Sequence, residues 1–290
     1  MRTVLCAVSD GEAARSALTT AYLIASRGDG HIEAFYPGMG SPMIITGGFG
    51  GGMGGGGVVP TELVAGLERE EQQRRERARS QFTSFMNEKC AVIEPVDPGS
   101  KGVSASWYEN AAMQASEVVG SYGRVFDVIC VSRPRRDDAA LSLAFVEAAL
   151  FESGRPVILA PPEPPATISR VVVIAWNAST ETARTLALGM PLVGDVERAI
   201  VLTVKGGGVN GPLGEDAARN LRCHGIKAEA VEVDVGGLPV GEAILQHCKE
   251  VGADLLIKGA YTQSRLKQMI FGGATQHILT SAELPVIMAH

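Results

Sequence analysis

Aromatic side chains are scarce: Phe, Trp and Tyr make up 5% of the 290 residues. That leaves little material for a surface that stacks nucleic-acid bases. Positive charge is also short. Lys and Arg number 26 against 32 Asp and Glu, a net charge of −6, whereas phosphate neutralisation needs a basic face. These two shortages argue against a general nucleic-acid binder. No apolar run approaches the roughly 20 residues of a membrane-spanning helix. Met1-Arg2 leads directly into the strand-like run 3–8, which is too short for a signal peptide. No membrane is expected as a partner. The five cysteines are scattered, odd in number and never spaced as CxxC. Buried thiols in a cytoplasmic protein are expected in preference to a disulfide framework. The motifs of nucleophile elbows, zinc proteases and P-loops are missing. Five scattered histidines supply no catalytic set, so an enzyme is not expected.

What the chain does contain is a repeat, which sets the architecture. The run Val4-Leu5-Cys6-Ala7-Val8-Ser9-Asp10-Gly11 has a counterpart in Val172-Val173-Ile174-Ala175-Trp176-Asn177-Ala178-Ser179. Each is apolar, then small and polar, and each is followed by an Ala-containing segment. Phe126-Asp127-Val128-Ile129-Cys130-Val131 parallels Ala253-Asp254-Leu255-Leu256-Ile257-Lys258, and Pro156-Val157-Ile158-Leu159-Ala160 parallels Pro285-Val286-Ile287-Met288-Ala289. The order of these pairs is the same in both halves. Residues 1–161 and 169–290 are therefore read as two homologous domains, separated by the stiff linker Pro161-Pro162-Glu163-Pro164-Pro165.

The second half gives the cleaner pattern. Strands are expected near 170–176, 199–204, 228–233, 254–258 and 285–289, with helices at 180–192, 214–223, 239–251 and 273–281. Strand alternating with helix predicts an α/β fold whose parallel sheet is covered on both faces. In such sheets ligands bind beyond the carboxyl ends of strands at a topological switch point, here the turns after the first and fourth strands of each half. The first half adds an insertion with nine glycines between Gly47 and Gly57. Residues 39–58 are expected to be mobile, because glycine loses the most entropy on ordering. A long, charge-interleaved helix is expected over 61–89. The two halves are expected to superpose and to face each other as a pseudo-dimer, not as one continuous sheet.

The run Gly252-Ala253-Asp254-Leu255-Leu256-Ile257-Lys258-Gly259-Ala260-Tyr261, then Ser264-Arg265-Leu266, Phe271-Gly272-Gly273-Ala274-Thr275 and the closing Leu284-Pro285-Val286-Ile287-Met288-Ala289-His290 resembles the universal stress protein family, specifically its tandem two-domain type. The resemblance implies two tandem domains, each a five-stranded parallel sheet with helices on both faces. It also implies a cytoplasmic stress-response protein and dimer-like pairing, with a homodimer as a further option and its protein partners unknown. Some members of the family bind ATP and others do not.

Members that bind ATP carry Gly, two residues, Gly, nine residues, then Gly and Ser or Thr. Glycines let backbone N–H groups approach phosphate, and a following helix N-terminus adds a favourable dipole. Against that pattern Gly259 takes the first position and Gly272 the third. Thr262 stands at the second glycine and Gly273 at the hydroxyl position, with Thr275 two residues further on. The family's nucleoside-binding Asp is replaced by Asn177, followed by Ala178-Ser179. The resemblance thus implies an eroded ATP site in the C-terminal domain only, with phosphates between Gly259 and Gly272-Gly273 and the base near Asn177. A structural glycine loop is the alternative.

Lys258 ends an apolar strand run and has two readings: an ammonium near a ligand phosphate, or a side chain that snorkels to the sheet rim and pairs with an acid. In the first half Ser132-Arg133-Pro134-Arg135-Arg136 replaces the glycines. Its arginines are read as a solvated turn balanced by Asp137 and Asp138, with anion binding as the alternative. Cys223-His224 and His247-Cys248 do not make a metal site, because right-handed crossovers place their helices on opposite faces. An interaction module without any ligand remains the rival to a nucleotide-binding protein.

Overall fold

The computed structural model describes residues 3–38, 61–89, 91–93, 101–109, 113–133, 139–260 and 273–290. The glycine-rich tract expected to be mobile, the turn 134–138, Thr262 and Gly272 lie outside them. The first half contains β1 (Thr3–Ala7), α1 (Ala13–Ala25), β2 (His31–Phe35) and α2 (Thr61–Glu88). It continues through β3 (Val92–Ile93), β4 (Ser104–Trp107), α3 (Ala115–Gly120), β5 (Val128–Ser132), α4 (Ala139–Glu152) and β6 (Val157–Ala160). The second half contains β7 (Val171–Ala175), α5 (Thr180–Val193), β8 (Arg198–Val204), α6 (Gly214–Cys223) and β9 (Ala228–Val233). It closes with α7 (Val240–Glu250), β10 (Leu255–Lys258), α8 (Gly273–Ser281) and β11 (Val286–Met288).

Within each half neighbouring strands are parallel. Parallel strands need crossovers, and the helices that make them cover both faces. Strand residues accordingly alternate between two cores. Val4, Cys6, Val172 and Ile174 join the layer under α1, α2, α5 and α6. Leu5, Ala7, Val173 and Ala175 join the layer under α3, α4, α7 and α8.

The two halves do not face each other as separate sheets. They share one sheet, in the order β3-β4-β2-β1-β5-β6-β11-β10-β7-β8-β9, and this corrects the sequence-based expectation. The join is the antiparallel pair β6–β11, with Ile158 opposite Ile287 and Val157 and Leu159 opposite Met288 and Val286. Ile158 and Ile287 are equivalent positions of the repeat, so a local twofold passes between them. The physical reason is edge pairing. Both strands are buried and apolar throughout, and such an edge left open would be an aggregation surface. The far edge is blunted differently: β9 is largely exposed and carries Glu229 and Glu232.

Small polar groups repeat their roles as well. The Asp254 carboxylate accepts from the backbone N–H of Val171 at 2.9 Å and of Arg170 at 3.1 Å. Asp127 accepts from the N–H of Thr3 at 3.1 Å. One aspartate therefore fixes the entry of the first strand in each half. Ser16 of α1 donates to the carbonyl of Pro161 at 2.5 Å, which ties the linker to the first half.

Cys6, Cys130 and Cys248 are buried free thiols, as expected, but Cys223 is exposed at the end of α6. The expectation of buried thiols therefore fails at that position. Among the described residues no helix is long and apolar enough to cross a membrane.

His31 is 4% exposed. Its Nδ1 lies 2.9 Å from Ser104 Oγ and its Nε2 2.8 Å from Ser106 Oγ. In a neutral ring one nitrogen donates and the other accepts. Burial lowers its pKa below the usual 6.5, so the unfolded chain takes up the proton first as pH falls. Stability conferred by the neutral ring is present above about pH 6.5 and is lost on acidification below it. Urea denaturation at pH 7.5 and 5.5 is expected to show a larger loss for the native chain than for His31→Gln. Equal losses would mean that His31 does not titrate with folding.

Candidate functional site

The strand order reverses between β7 and β10: β8 and β9 continue on one side and β11 lies on the other. A crevice opens at the carboxyl ends of strands at such a point. A cavity of about 210 Å³ lies there, lined by Asn177, Thr182, Val204, Ile244, Lys258 and Thr275 among others. Gly259 and Gly273 also reach it. The structure thus brings together Asn177, Lys258, Gly259, Gly273 and Thr275. Ser179 is not among the lining residues; it sits behind them as a helix cap. Thr262 and Gly272 lie outside the described residues.

The turn after β7 is built by its own polar atoms. Asn177 Oδ1 accepts from the backbone N–H of Ser179 at 3.2 Å and from the hydroxyl of Thr182. Ser179 is the N-cap of α5, and its Oγ accepts from the N–H of Thr182 at 3.2 Å. Ala178 between them has φ 64°, an uncommon left-handed conformation for a residue with a Cβ. The loop after β8 holds the turn in place. Val209 N–H donates to the Asn177 carbonyl at 3.0 Å, and Trp176 Nε1 donates to the Pro212 carbonyl at 2.9 Å. The Oδ1 of Asn177 is therefore committed to the turn, and its Nδ2 is the group left for a ligand.

Gly259 has a packing reason to be glycine. A Cβ there would stand 2.6 Å from the backbone nitrogen of Thr182 and 2.8 Å from its Oγ1. The end of β10 is thus pressed against the first turn of α5. Gly273 is the opposite case, because a Cβ there meets nothing within 4 Å. It opens α8, whose first-turn N–H groups have no partner inside the helix.

Lys258 departs from the snorkelling reading. Its Nζ donates to the Gly259 carbonyl at 2.8 Å and to Thr275 Oγ1 at 2.9 Å. Among the described residues no carboxylate pairs with it. Burial pushes its pKa down to about 8. The apolar wall explains this, since Val204, Val240 and Ile244 supply no compensating charge.

The equivalent place in the first half is occupied otherwise. Val131, a fully buried apolar residue, stands where Lys258 stands. Asp10 is ion-paired with Arg77 of α2 at 2.8 Å. Arg133 donates to the Ala282 carbonyl in the other half, so it fastens the two halves together and does not lie in a solvated turn. Among the described residues no cluster of three His, Cys, Asp or Glu side chains could hold a metal.

Residues 192–290 match the sequence model of the universal stress protein family. The match begins at the end of α5, so β7 and the turn at Asn177 lie outside it. Part of the chain is also similar to the stress response protein NhaX of Bacillus subtilis (strain 168), 28% identical over 57 residues. The match spans 20% of this chain and 34% of that relative's length. A universal stress protein from Archaeoglobus fulgidus DSM 4304 superposes with a TM-score of 0.66 at 14% identity, over 99% of this chain and 95% of its own. A functionally unknown protein from Pseudomonas aeruginosa PAO1 superposes at 0.54 with 12% identity, over 100% and 92%. Identities this low speak for the fold alone. They extend the universal-stress-protein-like architecture across both halves.

Sequence reasoning missed Thr182, which both braces Asn177 and meets Gly259, and it missed the apolar wall of Val204, Val240 and Ile244. The spacing Ser179-x-x-Thr182 at a helix start was the available signal for the first. A buried ammonium without a counter-ion lowers stability by roughly 1–3 kcal/mol. Lys258→Met is therefore expected to raise stability to urea at pH 7 by that order. The unfolded chain binds the Lys258 proton up to about pH 10.5, whereas the folded chain releases it near 8. The native protein gains stability through that window, so the gap to the variant should narrow at pH 9.5. A less stable variant at pH 7 would mean that the charge is compensated.

Proposed function

We propose that the chain is a cytoplasmic stress-response protein of the tandem universal stress type that acts by binding, not by catalysis. Its C-terminal domain takes an adenine nucleotide, and its first half serves as scaffold and partner surface. The observation that carries this reading is the cavity at the β7/β10 switch point, which has an apolar wall for a base, the Asn177 amide at one side, and the start of α8 with Lys258 at the other. The first half offers no matching arrangement among the described residues, since Val131 stands at the Lys258 position and Asp10, one place beyond the Asn177 position, is paired with Arg77.

A second reading has its own support. Gly259 is accounted for by its packing on Thr182, so its presence needs no ligand. On that reading the domain is an interaction module that works through protein partners alone.

Mass spectrometry of small molecules released from the purified full-length chain, followed by calorimetry with ATP, separates the two. A bound adenine nucleotide and micromolar to sub-millimolar affinity are expected. No nucleotide released and no heat at millimolar ATP would leave the interaction module. Asn177→Asp keeps an acceptor for Ser179 and Thr182 and turns the remaining donor into an acceptor for ribose hydroxyls. It should tighten ATP binding about three- to tenfold. Weaker binding in that variant would place the nucleoside elsewhere.

A further inference from the structure

The face formed by α1, α2, α5 and α6 carries a groove that nucleotide binding does not use. It runs between α5 and α6, has a volume of about 690 Å³, and is lined by Trp176, Leu186, Ala187, Met190, Leu221 and Ile226 among others. The repeat shows how such a groove can be closed. Aligning Arg15 with Arg184 sets Leu18 and Tyr22 of α1 against Ala187 and Pro191 of α5. In the first half Leu18 is 1% exposed, and Tyr22 meets Phe85 of α2 edge-on at 6.2 Å. In the second half the smaller residues leave the groove open, and Ala183, Ala187 and Pro191 lie exposed along one side of α5.

The same chain presents an apolar helix face of complementary shape. α2 runs for 28 residues, whereas α6 makes the equivalent crossover in 10. Ala78, Phe82, Phe85 and Met86 bury the carboxyl-terminal half of α2, while no residue from 62 to 77 is buried. About 24 Å of helix therefore precedes the part that the fold uses. On it Leu63 and Leu67, four residues apart, share one face with Val64 beside them. Leu63 is 55% exposed, and Val64 and Leu67 are half-buried. This face cannot reach the groove of its own chain. Six strand positions separate β2 from β7, roughly 29 Å at about 4.8 Å per strand, and α1 packs on the strands between them. Charge matches the two surfaces. Residues 61–71 hold four glutamates and one arginine. At the groove Arg184 beside Ala183 and Lys227 beside Ile226 are exposed, and the lining Asp216 is already paired with Arg219 at 3.0 Å.

We propose that the α5–α6 groove is the docking site for the amino-terminal turns of α2 from a second copy of the chain. Leu63 and Leu67 of one copy lie on Ala187 and Met190 of the other, as an amphipathic helix lies in an apolar groove. The acidic start of α2 meets Arg184 and Lys227 at the rim. Helix and groove sit at opposite ends of one face, so each copy docks its helix on the other and the contact closes as a twofold dimer. Reciprocal docking also doubles the buried area, toward the roughly 1,200–2,000 Å² of a stable interface. The β6 and β11 edges take no part, because they already pair within the chain. This contact does not depend on the nucleotide reading.

The test is sedimentation equilibrium of the full-length chain from about 1 to 100 μM, where a dimer of micromolar dissociation constant is expected. Ala187→Glu spoils the groove and Leu63→Glu spoils the helix face. Both positions are exposed, so circular dichroism and melting curves should match those of the native chain. Each variant is expected to weaken the dimer at least tenfold. Mixing the two variants restores one sound contact, the α2 of Ala187→Glu on the groove of Leu63→Glu. The mixture should therefore associate at least threefold more tightly than either variant alone. A native chain that stays monomeric at 100 μM overturns the proposal, as does a dimer indifferent to either variant. A mixture no tighter than the separate variants means that like patches meet, and it overturns helix-in-groove docking as well.

Discussion

The edge pairing of β6 with β11 is the constraint on which the rest of this molecule depends. Each half ends on a short, apolar, buried strand with one free hydrogen-bonding edge. Antiparallel pairing around Ile158 and Ile287 satisfies both edges at once. It also fixes the two halves about a local twofold, as an isologous interface would between two chains. Contacts across this seam follow from it. Arg133 at the end of β5 reaches the Ala282 carbonyl just beyond α8, and Arg27 at the end of α1 reaches the Ile168 carbonyl before β7. β10 lies directly beside β11, so the strand that presents Lys258 is one step removed from the seam.

A twofold of this kind makes differences between the halves informative. Asp127 and Asp254 sit at equivalent places and do the same work, fixing the first strand through backbone N–H groups. That role is structural and both halves need it. Val131 and Lys258 also sit at equivalent places, and here the chemistry diverges. The same backbone position holds an apolar residue that completes a core and a lysine that leaves a cavity charged. Asp10 and Asn177, in the turns after β1 and β7, diverge as well. The first is bound to Arg77 of the long helix α2, and the second braces its own turn against Ser179 and Thr182.

Much of this was legible in the sequence. The strands and helices of the second half fall within one or two residues of the positions read from apolar runs and Ala-rich segments, because a strand buried on both faces leaves an unbroken run such as Val171–Ala175. Gly214–Cys223 and Gly273–Ser281 are matched end to end. The seam was not legible. The run Val157–Ala160 looks the same whether its free edge meets solvent, a second chain or its own repeat, since apolarity reports burial and not the neighbour. The turn at Asn177 was half legible. Its residue types were visible, but the commitment of Oδ1 depends on the first turn of a helix, which places Thr182 five residues on. Arg133 read as a solvated charge because local composition cannot register a carbonyl 149 residues away.

Gly259 and Lys258 together show why a glycine pattern alone is weak evidence for a phosphate site. Gly259 keeps the spacing of a phosphate loop, yet packing dictates it: any side chain there would strike the first turn of α5. Its presence would be required in a protein that bound nothing. Lys258 has the opposite logic. Nothing in the packing calls for a charge at the end of β10, and the neighbouring strands show that an apolar residue serves the fold. A residue that stability explains carries no information about a ligand, and one that stability opposes does. The weight of the functional argument therefore rests on the lysine, a feature of this pocket that the fold works against.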